Sequence, residues 1–375
     1  MRSMKVVTLV LMTACGSVKD SAESFEEPVD TGESDVTEED SADVTVVDAD
    51  GDGWPADVDC NDNDPSMPNL DVDCDGVLTE DDCDDFDANS TIISEDADCD
   101  GVINSPSETV CQRWNLDRSF IQEGQWTGSV NTCDAGTVSQ SGIDNALRQV
   151  NLFRWLSGLS EVQVDSGLNQ KAQECALMMD AYGGLSHYPS TEFPCHTEDG
   201  ATAASKSNLS PYEGVYSVEL YMSDPGNETT LGHRRWILSN KLGPIGLGST
   251  DDYSCMWVIG GSGTDANAWT SWPPSGIVPI DLTELGWAHL DTTGWSVQSD
   301  SINMSGATAV ITRDDGVDQP VKVFELGANY GSRWAINMVP DGWNSQSGHR
   351  YDVVITVAST TIEYSVDFVD CDGTE

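Results

Sequence analysis

Residues 141–158 read SGIDNALRQVNLFRWLSG. Ile143, Ala146, Leu147, Val150, Phe153 and Leu156 recur at steps of three and four, which puts them on one face of a helix. Asp165 or Ser166 caps a second helix with a buried stripe of Leu168, Ala172, Cys175, Ala176 and Met179, and Gly183-Gly184 stops it before Leu185-Ser186-His187. Val215 to Met222 is short and mixed in period. Beyond Pro225-Gly226 come Leu231-Gly232-His233-Arg234-Arg235-Trp236-Ile237-Leu238, then Pro244-Ile245-Gly246-Leu247-Gly248, then a buried strand around Cys255 to Ile259. Helices and short strands in this order predict an α+β domain over 141–264. No G-x-S-x-G elbow, H-E-x-x-H helix or P-loop occurs. Ser186 adjoins His187, but neighbours in sequence rarely present both side chains to one reacting centre.

From Trp269-Thr270-Ser271-Trp272-Pro273-Pro274 onward the pattern changes. Runs of β type at Ala307 to Thr312, Val321 to Leu326, Arg333 to Met338, Tyr351 to Ala358 and Thr361 to Phe368 alternate with turns such as Asp314-Asp315-Gly316 and Asp341-Gly342. This spacing predicts an all-β, immunoglobulin-like sandwich over 265–375. Trp269, Trp272, Trp287, Trp295, Trp334 and Trp343 offer two readings, a carbohydrate groove or core packing, and packing is the preferred one. Gly348-His349-Arg350 lies just before a strand and reads as structure.

Upstream, charge dominates. The 375 residues carry 16 Lys and Arg against 65 Asp and Glu, a net charge of −49, which excludes a nucleic-acid backbone as partner. Residues 1–110 hold 32 of those acids and only Arg2, Lys5 and Lys19 as bases. Met1 to Ala14 has a charged start, the apolar run Val6 to Met12 and small residues before Cys15, the pattern of a secretion signal. It is too short to span a bilayer, which takes ~20 apolar residues. Residues 16–47 are rich in Ser, Thr, Glu and Asp, and read as a disordered acidic tether.

From residue 48 the acids follow a rule. Asp48-x-Asp50-x-Asp52-Gly53 recurs as Asp71-x-Asp73-x-Asp75-Gly76 and Asp96-x-Asp98-x-Asp100-Gly101. Oxygens at loop positions one, three and five with glycine at six wrap a hard cation, and a carboxylate at position twelve closes the shell. Asp59 and Asp82 hold that position in the first two repeats; the third has Ser107, with Glu108 beside it. Calcium suits so many protein oxygens better than magnesium. Of eleven cysteines, Cys15 stands apart, and an even ten remain for disulfides in an exported chain. Cys111 and Cys133 bracket a short segment, and are predicted to pair and to close a connector over 111–140. Pairing among Cys175, Cys195, Cys255 and Cys371 is open.

Three resemblances add to this reading. Leu11-Met12-Thr13-Ala14-Cys15 resembles a bacterial lipobox, which implies lipidation of Cys15 and attachment to a membrane, an ordinary signal peptide being the alternative. Gly16 lacks the Asp that in many such lipoproteins retains them at the inner membrane, so the implied place is extracytoplasmic, at the outer membrane or cell surface. Residues 48–110 resemble the calcium-binding type 3 repeats of thrombospondins, which implies disulfides joining Cys60 with Cys74 and Cys83 with Cys99. The third covers Asn151-x-x-Arg154, Leu185-Ser186-His187, Gly232-His233-Arg234 and Ile245-Gly246-Leu247-Gly248, which in this order resemble the CAP superfamily of cysteine-rich secretory, antigen 5 and pathogenesis-related proteins.

The CAP resemblance implies an α/β/α sandwich and a cleft where two histidines, here His187 and His233, meet two acids, in some members around a divalent metal. Lys206-Ser207-Asn208 stands where a Gly-Glu-Asn triplet is expected, so Ser207 replaces the first acid; Asp224 or Glu219 is the second. Such a nitrogen and oxygen set suits zinc. Losing a carboxylate argues against hydrolysis. The expectation is a lipid-anchored, calcium-binding surface protein that binds an unidentified protein, lipid or glycan without catalysis. The alternative is a metal-dependent hydrolase or peptidase using His187 and His233.

Overall fold

A computed structural model describes residues 48–372, apart from 52, 55–58, 62, 66–69, 94–95, 97–98 and 100–104. Cys15, the tether at 16–47, Asp52, Asp98 and Asp100 lie outside the described residues. The chain divides into two compact units, Met1–Pro68 and Asn69–Glu375. In the first, the Asp48 carboxylate accepts the main-chain N–H of Gly51 at 2.7 Å and of Gly53 at 3.1 Å, and so folds the loop back on itself.

Among the described residues, all helices and strands lie in the second unit. Helix α1 (Pro106–Arg118) starts at a reciprocal cap between Ser105 and Glu108, with proline in its first turn. The predicted amphipathic helix is α2 (Gln140–Leu156). Helix α3 (Ser166–Tyr182) is capped by Asp165, whose carboxylate accepts from Leu168 N–H at 2.9 Å, and ends with Gly183 left-handed at φ 71°. After α4 (Glu198–Ala204) the chain forms β1 (Ser207–Ser210), α5 (Gly214–Ser223), α6 (Gly232–Ile237), β2 (Gly246–Ser249) and β3 (Ser254–Trp257). The three strands form an antiparallel sheet in the order β1-β3-β2.

Helices cover both faces of this sheet. Leu209 and Cys255 pack with Ala172, Met178 and Met179 of α3, whereas Leu247 and Met256 pack with Val150 of α2 and Val218 of α5. Glycine in β2 permits the close approach of α3. A Cβ on Gly246 would stand 2.6 Å from the main chain of Leu168, and one on Gly248 2.2 Å from that of Ala172. The disulfide between Cys175 and Cys255 ties helix to sheet.

Beyond residue 265, two further sheets face each other. One holds β4 (Thr270–Trp272), β6 (Trp295–Ser299), β10 (Trp334–Pro340) and β9 (Val321–Glu325), in that order. The other runs β5 (Gly276–Pro279), β12 (Thr360–Val369), β11 (Arg350–Val357), β7 (Thr308–Arg313) and β8 (Asp318–Gln319), with β5 parallel to β12. Trp295 meets Tyr351 and Phe368 between them, ring centroids 5.8 and 5.9 Å apart. The short helix α7 (Leu290–Thr293) leads into β6.

Both parts of this unit share one core. Phe153 of α2 meets Trp272 of β4 edge to face at 5.6 Å, and one apolar cluster runs from α2 through both large sheets. Of the six tryptophans in the C-terminal region, Trp272 and Trp295 are buried, Trp269, Trp334 and Trp343 pack on the core, and Trp287 is exposed.

Cys111 and Cys133 do not pair with each other. Cys111 joins Cys371, and Cys133 joins Cys195, with Cα separations of 5.0 and 5.1 Å. The reason is tertiary. Cys111 lies in α1, against the chain end that follows β12, whereas Cys133 closes the 3₁₀ turn Val130–Thr132 in a left-handed conformation next to Cys195. The predicted connector at 111–140 is therefore not closed on itself. Cys83 joins Cys99, and Cys60 and Cys74 are both disulfide-bonded.

Candidate functional site

His187 and His233 line one cleft of about 500 Å³, within the range of small-molecule sites. His187 follows the glycine stop of α3, and its ring Nδ1 donates to the Ala204 carbonyl at 2.8 Å. His233 is in the first turn of α6, and its Nδ1 donates to Asp224 Oδ1 at 2.9 Å. With Nδ1 of each ring engaged by the protein, Nε2 is the nitrogen each offers to a ligand.

Asp224 is the acid that belongs to this site, but as a support. It caps α5 in a left-handed conformation, is almost fully buried, and its Oδ2 accepts the main-chain N–H of His233 at 3.0 Å and of Arg234 at 3.3 Å. The Asn227 amide donates to its Oδ1 at 2.9 Å. Glu219 is elsewhere: Arg118 holds its Oε1 at 2.6 Å and Gly286 N–H its Oε2 at 3.2 Å. A carboxylate neutralised on another face of α5 is no partner for the histidines.

Ser207 lines the cleft as well. It is 2 % exposed, and its hydroxyl finds no hydrogen-bond partner in the chain. Trp236 and Tyr330 add aromatic walls. Tyr330 comes from the connection between β9 and β10, and Gly232 makes room for it, since a Cβ there would stand 2.9 Å from its ring. No sequence signal marked Tyr330, because it lies outside the segment that carries the CAP-like motifs.

Zinc does not fit this donor set. The described residues lining the cleft offer two imidazoles and no carboxylate or thiolate, short of the three protein ligands of a catalytic zinc site.

The other residues of the motifs act as anchors. Asn151 exchanges hydrogen bonds with the main chain of Val162 at 2.9 and 3.1 Å. Arg154, buried, donates to the carbonyls of Ser160, Ile237 and Ser239 and pairs with Asp265 at 2.9 Å. Arg234, also buried, donates to the carbonyls of Met222, Ser223 and Gly294 and to the hydroxyls of Thr293 and Ser296. Arg235 reaches the carbonyls of Thr230, Gly327 and Ser332.

The second acidic repeat is the best-formed candidate metal loop. Oxygens of Asp71, Asp73 and Asp75 lie within 4.8 Å of one another, the only such group of three among the described residues. Gly76 takes φ 96° where the chain turns, and its N–H donates to Asp71 at 3.1 Å. Asp82 binds the Ser90 hydroxyl and the Asp84 N–H through Oδ1, while its Oδ2 and Asp73 Oδ2 are buried without partners. Lost hydration, with Asp75, Asp82 and Asp71 nearby, pushes the Asp73 carboxyl above its ordinary value of 3.8. Orphaned carboxylate oxygens at loop positions three and twelve fit a hard divalent cation. In the other repeats, Asp59 Oδ2 is buried without a partner, Asp50 is engaged within the chain, and Asp96 is fully buried with Oδ2 accepting from the Thr91 hydroxyl.

Among the described residues no helix is long and apolar enough to cross a membrane. No curated protein and no solved structure matches the chain. Residues 147–259 match the sequence model of CAP, the cysteine-rich secretory protein family.

Proposed function

We propose that this is a secreted, lipid-anchored surface protein that binds a ligand through the His187/His233 cleft and takes up calcium in its acidic loops, without catalysing a reaction. The CAP match and the ten oxidised cysteines support an extracellular setting. One observation carries the binding reading: both imidazoles are fixed at Nδ1 in an open polar cleft whose described lining holds no carboxylate or thiolate. Such a site can grip a protein, lipid or glycan through two nitrogens, and its described lining supplies no third metal ligand. The orphaned oxygens of Asp73 and Asp82 support calcium.

The test is elemental analysis of the chain lacking residues 1–15, with scattering before and after chelation. Calcium at about two per chain, expansion on chelation and no transition metal are expected. About one zinc per chain, lost in His187→Ala, would overturn the binding reading in favour of a metal-dependent hydrolase.

A further inference from the structure

A second recess opens where α2 ends and β4 begins, apart from the histidine cleft. Its volume is about 310 Å³, and Trp155, Ser157, Asn267, Trp269, Ser271 and Pro274 line it. No charged side chain lines it, in a chain of net charge −49.

Both indoles pack against neighbouring side chains. The Arg113 guanidinium lies 5.3 Å from the centre of the Trp155 ring, and Tyr364 packs on Trp269 at 5.4 Å with 37° between planes. The polar groups are prepared as well. Asn267 is positioned by its own amide, which donates to Gly158 O at 3.3 Å, and by Asn240, which donates to its carbonyl at 2.8 Å. The Ser157 hydroxyl is buried with no partner in the chain. A buried hydroxyl left unpaired is unfavourable unless something outside the chain bonds to it.

We propose that this recess binds a neutral saccharide. A sugar ring presents apolar C–H faces and a rim of hydroxyls that both donate and accept. Trp155 and Trp269 can cover the faces at little entropic cost, since their rings are already fixed. Ser157 and Asn267 can bond the rim. The uncharged lining selects against anionic glycans, which the acidity of the whole chain also repels. A proline-rich peptide also favours aromatic grooves but brings few donors for a rim of hydroxyl and amide groups.

Tryptophan fluorescence of the full chain, titrated with short oligomers of glucose, mannose, galactose and N-acetylglucosamine, tests this. Saturable binding to at least one is expected, weakened about tenfold or more by Ser157→Ala and by Trp269→Ala, and unchanged in the double variant His187→Ala/His233→Ala. Ser157→Ala removes only an unpaired hydroxyl, so its fold persists and its result stands even if Trp269→Ala unfolds. Failure of all four sugars to bind, binding indifferent to Ser157→Ala, or binding of a proline-rich peptide at these residues in place of sugar would each overturn the proposal. Because the histidine variant is read separately, the failure of either site leaves the other intact.

Discussion

Arg234→Met should be among the most damaging single changes in this chain, although the arginine touches no ligand. Its guanidinium makes five hydrogen bonds within 2.6–3.2 Å, to three carbonyls and two hydroxyls. Burial lowers its pKa to about 10, so it stays charged at neutral pH. Methionine fills much the same volume but donates nothing. The two hydroxyls can turn elsewhere; the carbonyls of Met222, Ser223 and Gly294 cannot, and each unpaired buried acceptor costs about 1–3 kcal/mol. The penalty for burying the arginine disappears at the same time, which offsets part of that loss. The net is about 3–5 kcal/mol, the range seen when one member of a buried charged network is removed. Urea unfolding followed by tryptophan fluorescence, with the disulfides kept oxidised, would read this directly. Arg234→Lys should recover part of the loss, since an ammonium has three donors for five acceptors. A methionine variant within about 1 kcal/mol of the parent would refute the view that this motif residue holds α5 and α6 to β6.

Asp73→Asn should abolish calcium uptake by the second loop, seen as loss of one site in a calcium titration. In chelator the same variant should be less sensitive to rising pH. The folded-state pKa of Asp73 is raised, so its contribution to stability is present below the ordinary value of 3.8 and is lost as pH climbs through the raised value; an unchanged pH profile would count against that. Replacing Cys111 and Cys371 by serine opens a loop with a sequence separation of 260 and should cost about 3–5 kcal/mol, measured by calorimetry against the parent. No change in the unfolding temperature would show that α1 is held by its packing alone.

Local patterns in the sequence reported local structure well. Helix α2 was expected over 141–158 and spans Gln140–Leu156, because its apolar stripe had the right period. Of Asp165 and Ser166, the two caps the sequence offered, Asp165 is the one that caps α3. Strands β11 and β12 were legible because one face is buried and the other exposed, so hydrophobicity alternates. Strand β6 was not: Trp-Ser-Val-Gln-Ser is buried along its whole length, polar residues included, and its alternation is too short to mark a strand. The Cys111 error has the same origin in reverse, since proximity in sequence suggested Cys133 while the partner lies at the far end of the unit. In the cleft, the motifs located His187 and His233 but could not choose between Asp224 and Glu219. That choice rests on backbone conformation: Asp224 turns left-handed at φ 53° and directs its carboxylate to the start of α6, while Glu219, one turn earlier, meets Arg118.

The bond between Cys111 and Cys371 also changes the topology of the molecule. It makes residues 111–371 a covalent ring, inside which Cys133–Cys195 and Cys175–Cys255 form two further cross-links. A protease that cuts one exposed loop of this ring linearises it and releases no fragment. Mechanical load arriving through α1 passes directly to the last strand, so the two ends of the ring cannot be peeled apart one after the other. For a protein working outside the cell, where peptidases and shear are common, the cleft is thus carried by a frame that tolerates a broken backbone.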